Sequence, residues 1–281
     1  IWEGPQFNTI GGATPDARNI ISGNEHSGVH IGATGADHNT VSGNYIGPSA
    51  DGTTIVGNGG AGVIINSDGQ YNTIGGSTSG ERNIISGNFN GVVIQFADAS
   101  HNVVKGNYIG TDATATHAWA NSVFGVWIHS GAHDNEIGPD NVIAYNNVGG
   151  VDVYGDGTTG NTITQNSIHS NEGEGISLRN GGNNERDAPT ITSAMCSYGT
   201  GTTDPSLTVE GFSDLDGQGR FYEGAVGSGL TGSFVFYPAG DAFRYPYVTL
   251  TATDTVGNTS EFSDPVRNGC PIVFLPFVMK R

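Results

Sequence analysis

Five side chains in this sequence have the types and spacing for carbohydrate chemistry. Trp127 and His129, Asp152 and Tyr154, and Arg179 lie inside short alternating segments that begin at Gly125, Gly150 and Gly175. If those segments are neighbouring strands, all five share one outer face. An aromatic platform beside a carboxylate and a guanidinium can hold a sugar, and a carboxylate there can move a proton. The same residues also suit plain decoration of a wet sheet. Other chemistry is poorly supplied. His26 and His30 are four apart, a metal spacing on a helix but not on a strand. Asp152 and Asp156 flank a turn but offer too few oxygens for Ca²⁺. Asp214-x-Asp216-Gly217 opens like a Ca²⁺ loop yet lacks the later Glu, and reads as a turn. No cofactor is expected, and Ca²⁺ is the one metal these acidic loops leave open, on a weak signal. No Ser-His-Asp or Cys-His signature appears, and no Gly-rich loop leads into a helix.

The placement of the five residues rests on an internal repeat. Arg18-Asn19-Ile20-Ile21-Ser22-Gly23-Asn24 returns unchanged at 82–88, and 38–47 returns at 101–110 with two substitutions. Inside this large period sits a smaller unit of three apolar segments. The first begins at Asn8, Asn39, Asn72, Asn102, Asn135 and Asn161. The second begins at Asn19, Asn44, Asn83, Asn107, Asn141 and Asn166. The third begins at Gly28, Gly62, Gly91, Gly125, Gly150 and Gly175. Each segment alternates with period two and is too short for a helix. Three short strands per unit, stacked about six times, predict an all-β, right-handed parallel β-helix. Ile10, Val41, Ile74, Val104, Ile137 and Ile163 should form one internal ladder, and Val29, Val63, Val92, Val126, Val151 and Ile176 another. Corner Asn residues should cap the bends and stack on their copies. Ile20, Tyr45, Ile84, Tyr108, Val142 and Ser167 should form an outer stripe, covered by the insertions at 47–61 and 110–124.

Composition sets the boundaries. The chain has 281 residues, a formal net charge of −17 and 46 Gly. Charged residues are only 13%, too few for the wet faces of a helical bundle. Ten Lys and Arg against 27 Asp and Glu leave no basic footprint for nucleic acid, and disfavour polyanionic sugars. No apolar run is long enough to span a membrane. A start at Ile1 rather than Met marks a processed or partial chain. Residues 1–188 hold 24 of the 26 Asn, whereas most Phe and both Cys lie beyond them. We therefore expect a β-helix over 1–188, a small β-sandwich over 189–266, and an apolar tail over 267–281. Cys196 and Cys270 fit one disulfide or two buried thiols; a secreted protein favours the bridge.

The phrases at 82–88, Gly106-Asn107-Tyr108-Ile109-Gly110-Thr111-Asp112-Ala113-Thr114 and Asn72-Thr73-Ile74-Gly75-Gly76 resemble secreted bacterial β-helix repeat proteins of the pectin-lyase-like fold. The resemblance covers residues 1–188 and implies an extracellular or cell-surface location. It does not choose a function, because that fold carries lyases, hydrolases, epimerases, adhesins and structural proteins. The Asn-Thr-Asp, Asp-Asp, Gly-His-Gly and Arg-Ile-Lys blocks of polygalacturonase-like hydrolases are missing. Pectate-lyase-like enzymes use an Arg or Lys base beside a Ca²⁺-binding acid cluster. Here Arg18 and Arg82 occupy equivalent repeat positions, which implies a structural contact instead.

Beyond Pro189, alternating runs at 190–195, 206–212, 219–226, 232–238, 247–254 and 259–265 predict an antiparallel sandwich. The runs from Val248 to Asp254 and from Val256 to Ser263 resemble the last hairpin of bacterial Ig-like domains. Residues 271–281 resemble the short hydrophobic tails of some secreted bacterial proteins. Ile272, Val273, Phe274, Leu275, Phe277 and Val278 are candidate assembly contacts. The tail either folds onto its own domain as a seventh strand or is donated to a neighbouring molecule. The expected function is a non-catalytic extracellular structural protein that self-associates head to tail as a fibre or surface-layer subunit. The alternative is a polysaccharide-active enzyme, a lyase or glycoside hydrolase, or a carbohydrate-binding or adhesin module at the Trp127 face.

Overall fold

A three-residue segment becomes a strand only when its apolar side has something to bury against. In the computed structural model, which describes residues 1–270, the repeats supply that partner for one another. The first segments form a six-stranded sheet, in order Thr9–Gly11, Thr40–Ser42, Thr73–Gly75, Val103–Lys105, Glu136–Ile137 and Thr162–Ile163. The second segments form another, from Ile20–Ile21 to Ser167–His169. The third sheet runs Val29–Gly32, Ala61–Asn66, Asn90–Gln95, Phe124–His129, Gly149–Tyr154 and Ile176–Arg179. All pairings are parallel and join consecutive coils, the arrangement of a parallel β-helix of about six coils. At about 4.8 Å per coil the six rise roughly 29 Å. Both expected ladders point inward. Ile10, Val41, Ile74, Val104, Ile137 and Ile163 are in register, and from Val41 onward the row is buried.

The corners are held by side-chain amides. Along each row a corner Asn donates its backbone N–H, its Nδ2 or both to the Oδ1 of the Asn one coil further on. The first row runs Asn39, Asn72, Asn102, Asn135 and Asn161. Nδ2 also reaches back to a carbonyl of the preceding coil, as from Asn107 to Ile74 at 2.9 Å. Only Asn offers an acceptor and two donors at this reach. A third row, through Asn58, Asn88, Asn121, Asn146 and Asn171, serves the remaining corner. It was not among the positions expected from the repeat. Gly opens the third segment because strands pass closest there: a Cβ on Gly91 would sit 2.3 Å from the Gly125 carbonyl oxygen and 2.6 Å from Ile109 Cγ2.

The outer stripe of the second sheet is partly covered, with Tyr45, Tyr108, Val142 and Ser167 half-buried. Arg18 lies over the Tyr45 ring at 4.2 Å and Arg82 over Tyr108 at 4.0 Å. Each arginine also donates Nε to a glycine carbonyl, Gly43 or Gly106. Repeated position thus corresponds to a repeated clamp. Ile84 is buried, while Ile20 stays exposed.

From Thr190 the topology changes to two separate antiparallel sheets. Thr190–Ala194, Gly199–Thr202 and Ser233–Phe236 form one, in that spatial order. Phe221–Gly227, Thr208–Asp214, Tyr247–Thr253 and Val266–Arg267 form the other. Val209, Phe234, Phe236, Phe243, Val248 and Leu250 pack in one apolar cluster drawn from both. One strand was not expected and one expected run needs correction. Gly199–Thr202 is a strand that its Gly-Thr-Gly-Thr sequence hid, since Gly disfavours strands. The run at 259–265 is not a regular strand. It lies beside Tyr247–Thr253, but the Ser260 and Ser263 hydroxyls accept the Ala252 and Leu250 amides in place of backbone carbonyls. Cys196 and Cys270 are disulfide-bonded. The candidate assembly contacts Ile272, Val273, Phe274, Leu275, Phe277 and Val278 lie outside the described residues. Among the described residues no helix is long and apolar enough to cross a membrane.

Candidate functional site

The third sheet gathers the five candidate residues as the alternation requires. Trp127 is in register with Asp152, and His129 with Tyr154. Tyr154 is in turn level with Arg179. Their arrangement differs from an open sugar site. Asp152 points outward yet is fully buried, and Arg179 folds onto it. The guanidinium is bidentate: Nε donates to Asp152 Oδ1 at 2.7 Å and Nη2 to Oδ2 at 2.9 Å. The hydrogen bonds and charge of Asp152 hold the Arg179 guanidinium above its usual range. Arg179 also lies 5.5 Å from the ring centroids of both Phe124 and Tyr154.

Trp127 and His129 stack on each other at 3.9 Å, so each ring occupies a face of the other. Burial lowers the His129 imidazole, and the Asp152 charge opposes that. His129 Nδ1 meets the Ser130 hydroxyl at 2.7 Å. Trp127 Nε1 and His129 Nε2 are buried without a partner among the described residues. A carboxylate whose two oxygens are chelated in a bidentate pair has little capacity left to take a substrate proton. The Asp152–Arg179 pair ties the fifth and sixth coils together; it does not present a free carboxylate.

The loop at 214–217 has its oxygens engaged as well. Asp214 accepts from the Gly217 and Gly219 amides, and Asp216 reaches the Ser170 amide at 2.7 Å. Among the described residues no group of three His, Cys, Asp or Glu side chains is placed to hold a metal.

A second set of polar contacts lies where the sixth coil meets the antiparallel region. Strands of a coil leave amides pointing at the next coil, and among the described residues no seventh follows. Side chains take its place. Asn161 N–H donates to Asn183 Oδ1 at 3.0 Å, Ile163 N–H to Thr259 Oγ1 at 2.9 Å and Gln165 N–H to Glu210 Oε2 at 3.1 Å. Leu178 N–H donates to Glu261 Oε1 at 2.7 Å. Asn171 gives both its N–H and its Nδ2 to Gln218 Oε1, at 2.9 and 3.2 Å, so Gln218 ends the third Asn row as another Asn would. Phe262 closes the apolar bore above Ile163, Ile168 and Ile176. The antiparallel region is therefore a fitted cap on the β-helix. Asn183 follows Asn161 in the spirit of the repeat and was legible in principle. Gln218, Glu210 and Glu261 come from the antiparallel region and carry no sequence signal of this role.

Two predictions arise at this joint. Gln218→Ala leaves the Asn171 amide and Nδ2 without their acceptor; it should cost about 2 kcal/mol of unfolding free energy in urea. The second concerns pH. His169 is buried against the joint, with Arg220 Nη2 3.1 Å from its Nδ1, Ser170 beside it, Tyr145 edge-on and Asp216 nearby. Burial first, then the Arg220 charge, lower the imidazole to about 4, with Asp216 opposing. The folded state thus refuses a proton that the unfolded chain accepts below about 6.5. The stability due to neutral His169 is present above that value and lost as pH falls towards about 4. Glu210, Asp214 and Glu261 act in the opposite sense. Burial raises each of these carboxyls, so their contribution is fully present below the ordinary carboxyl range and lost as pH rises through the folded values. His169→Gln isolates the histidine: between pH 7 and 5 the Tm of the native chain should fall more than that of the variant.

No protein-family model matches the chain, and no curated protein is significantly similar to it.

Proposed function

We propose that this chain is a non-catalytic extracellular structural protein, a β-helical rod whose copies associate head to tail. The observation that carries this reading is the Asp152–Arg179 pair. The one outer-face carboxylate placed among aromatic residues is buried and fully chelated. The fitted cap adds support, since it joins the rod and the antiparallel sheets into a single continuous unit. Resemblance of 1–188 to secreted pectin-lyase-like proteins, and of the antiparallel region to Ig-like domains, supports an extracellular setting. In this reading the apolar tail of one copy, through residues 272–278, adds a strand to the next copy. Sedimentation velocity over a concentration series tests the reading. Growing oligomers in the full chain, lost on deletion of residues 271–281, are expected. A second reading, carbohydrate binding, is favoured by the half-exposed Arg179 and the exposed Tyr154 on the Trp127 face. It predicts retention on insoluble polysaccharide that is lost in Tyr154→Ala.

A further inference from the structure

We propose that the acceptor for the apolar tail is the outer edge of strand Thr190–Ala194, and that its occupant is the tail of a second copy of this chain. This inference rests on the self-association reading and names the surface it uses.

Thr190–Ala194 is the terminal strand of the three-stranded sheet and pairs only with Gly199–Thr202. Its other edge has no strand among the described residues. Thr190 and Thr192 are exposed, and Ile191, Ser193 and Ala194 are only half-buried. Such an edge presents a row of unpaired amides and carbonyls to any extended chain. Its surroundings suit an apolar, uncharged strand. Ile191 and Ala194 pack against the apolar cluster from its margin. Met195, Tyr198, Val235 and Tyr237 are exposed beside the strand or across its sheet. No Lys, Arg, Asp or Glu stands in any of the three strands. Lysine, charge and bulges are the usual means of protecting an edge; this edge carries no charge, and its one irregularity is a register shift between Ile191 and Ser193 in the pairing with Gly199–Thr202.

The tail matches this edge. Residues 272–278 read Ile-Val-Phe-Leu-Pro-Phe-Val, apolar on both alternating sides. One side can join the cluster margin and the other the Met195 and Val235 side. Pro276 lacks an amide, which an added edge strand tolerates. The choice of a second copy follows from the exit point. The bridge to Cys196 fixes Cys270 two residues past the end of the strand, with the Cα atoms 4.4 Å apart. Pairing within one chain would require the tail to reverse at once. Pro271 favours an extended Cys270, and β-branched Ile272 and Val273 favour a continued extended run over a tight reversal. Eleven extended residues reach about 36 Å, enough to cross to a neighbour's edge. A contact that joins the tail of one copy to the edge of the next is heterologous and propagates.

Hydrogen exchange of the full chain tests this, read at a dilute and at an assembling concentration set by light scattering. The expected result is that amides of Thr190–Ala194 exchange about tenfold more slowly only at the assembling concentration. Equal protection at both concentrations would place the chain's own tail on the edge and overturn the proposal. Oligomers with no added protection at 190–194 would also overturn it, while leaving self-association standing. Absence of oligomers at any concentration would sink the self-association reading and this inference with it.

Discussion

Asn107→Ala should lower the unfolding free energy by about 4 kcal/mol, the largest effect of any single polar substitution in the rod. The Asn107 side chain is fully buried and takes part in five bonds. Its Nδ2 donates to Ile74, Lys105 and Asn141, and its Oδ1 accepts both the N–H and the Nδ2 of Asn83. Alanine would leave the Asn83 amide without its acceptor, and take one donor from each of the Ile74 and Lys105 carbonyls, inside a buried corner. Asn107→Asp should be about as damaging. It keeps an acceptor but turns a carboxylate oxygen towards the carbonyls of Ile74 and Lys105. Asn8→Ala is the control: its side chain is exposed in the first coil, and the cost should stay near ~1 kcal/mol or less. Chemical denaturation of the three variants checks the series. Equal costs at Asn8 and Asn107 would mean that the rows are ornamental.

Arg179→Ala should cost about 3 kcal/mol, and Asp152→Ala distinctly less. The asymmetry follows from exposure. Asp152 is wholly buried, so loss of Arg179 leaves an uncompensated carboxylate in the sheet. Arg179 is half-exposed, so loss of Asp152 frees it to turn into water. Thermal unfolding of both variants at neutral pH reads the difference. A catalytic Asp152 predicts another pattern: a stable Asp152→Ala protein that has lost an activity on a polysaccharide. In a structural pair, stability moves and no such activity exists to lose.

Much of the rod was legible because its physics is local and repeated. Ile10, Val41 and Ile74 alternate with polar neighbours, and repetition every 26–33 residues leaves parallel stacking as the arrangement that buries them all. A structural role for Arg18 and Arg82 follows from equivalent positions alone; the tyrosine rings they cover do not. The third Asn row, three or four residues before the glycine that opens each third segment, was legible on the same grounds and was overlooked rather than hidden. In the candidate site, alternation placed Trp127, Asp152 and Arg179 on one face. Whether Asp152 would be open or chelated depends on the diagonal reach of Arg179 across a coil boundary, which spacing does not encode. The cap escaped for a similar reason. Gln218 meets Asn171 through a contact 47 residues long in sequence, between two unlike folds. The strand Gly199–Thr202 was hidden by its composition, and 259–265 looked like a strand because serine hydroxyls can stand in for backbone.

Negative-stain electron microscopy of the full chain, beside a chain ending at Cys270, separates a fibre subunit from a solitary enzyme. Regular filaments of the full chain are expected, with separate particles once residues 271–281 are removed. Separate full-length particles at high concentration, together with release of sugar from a polysaccharide, would contradict head-to-tail assembly of a non-catalytic rod.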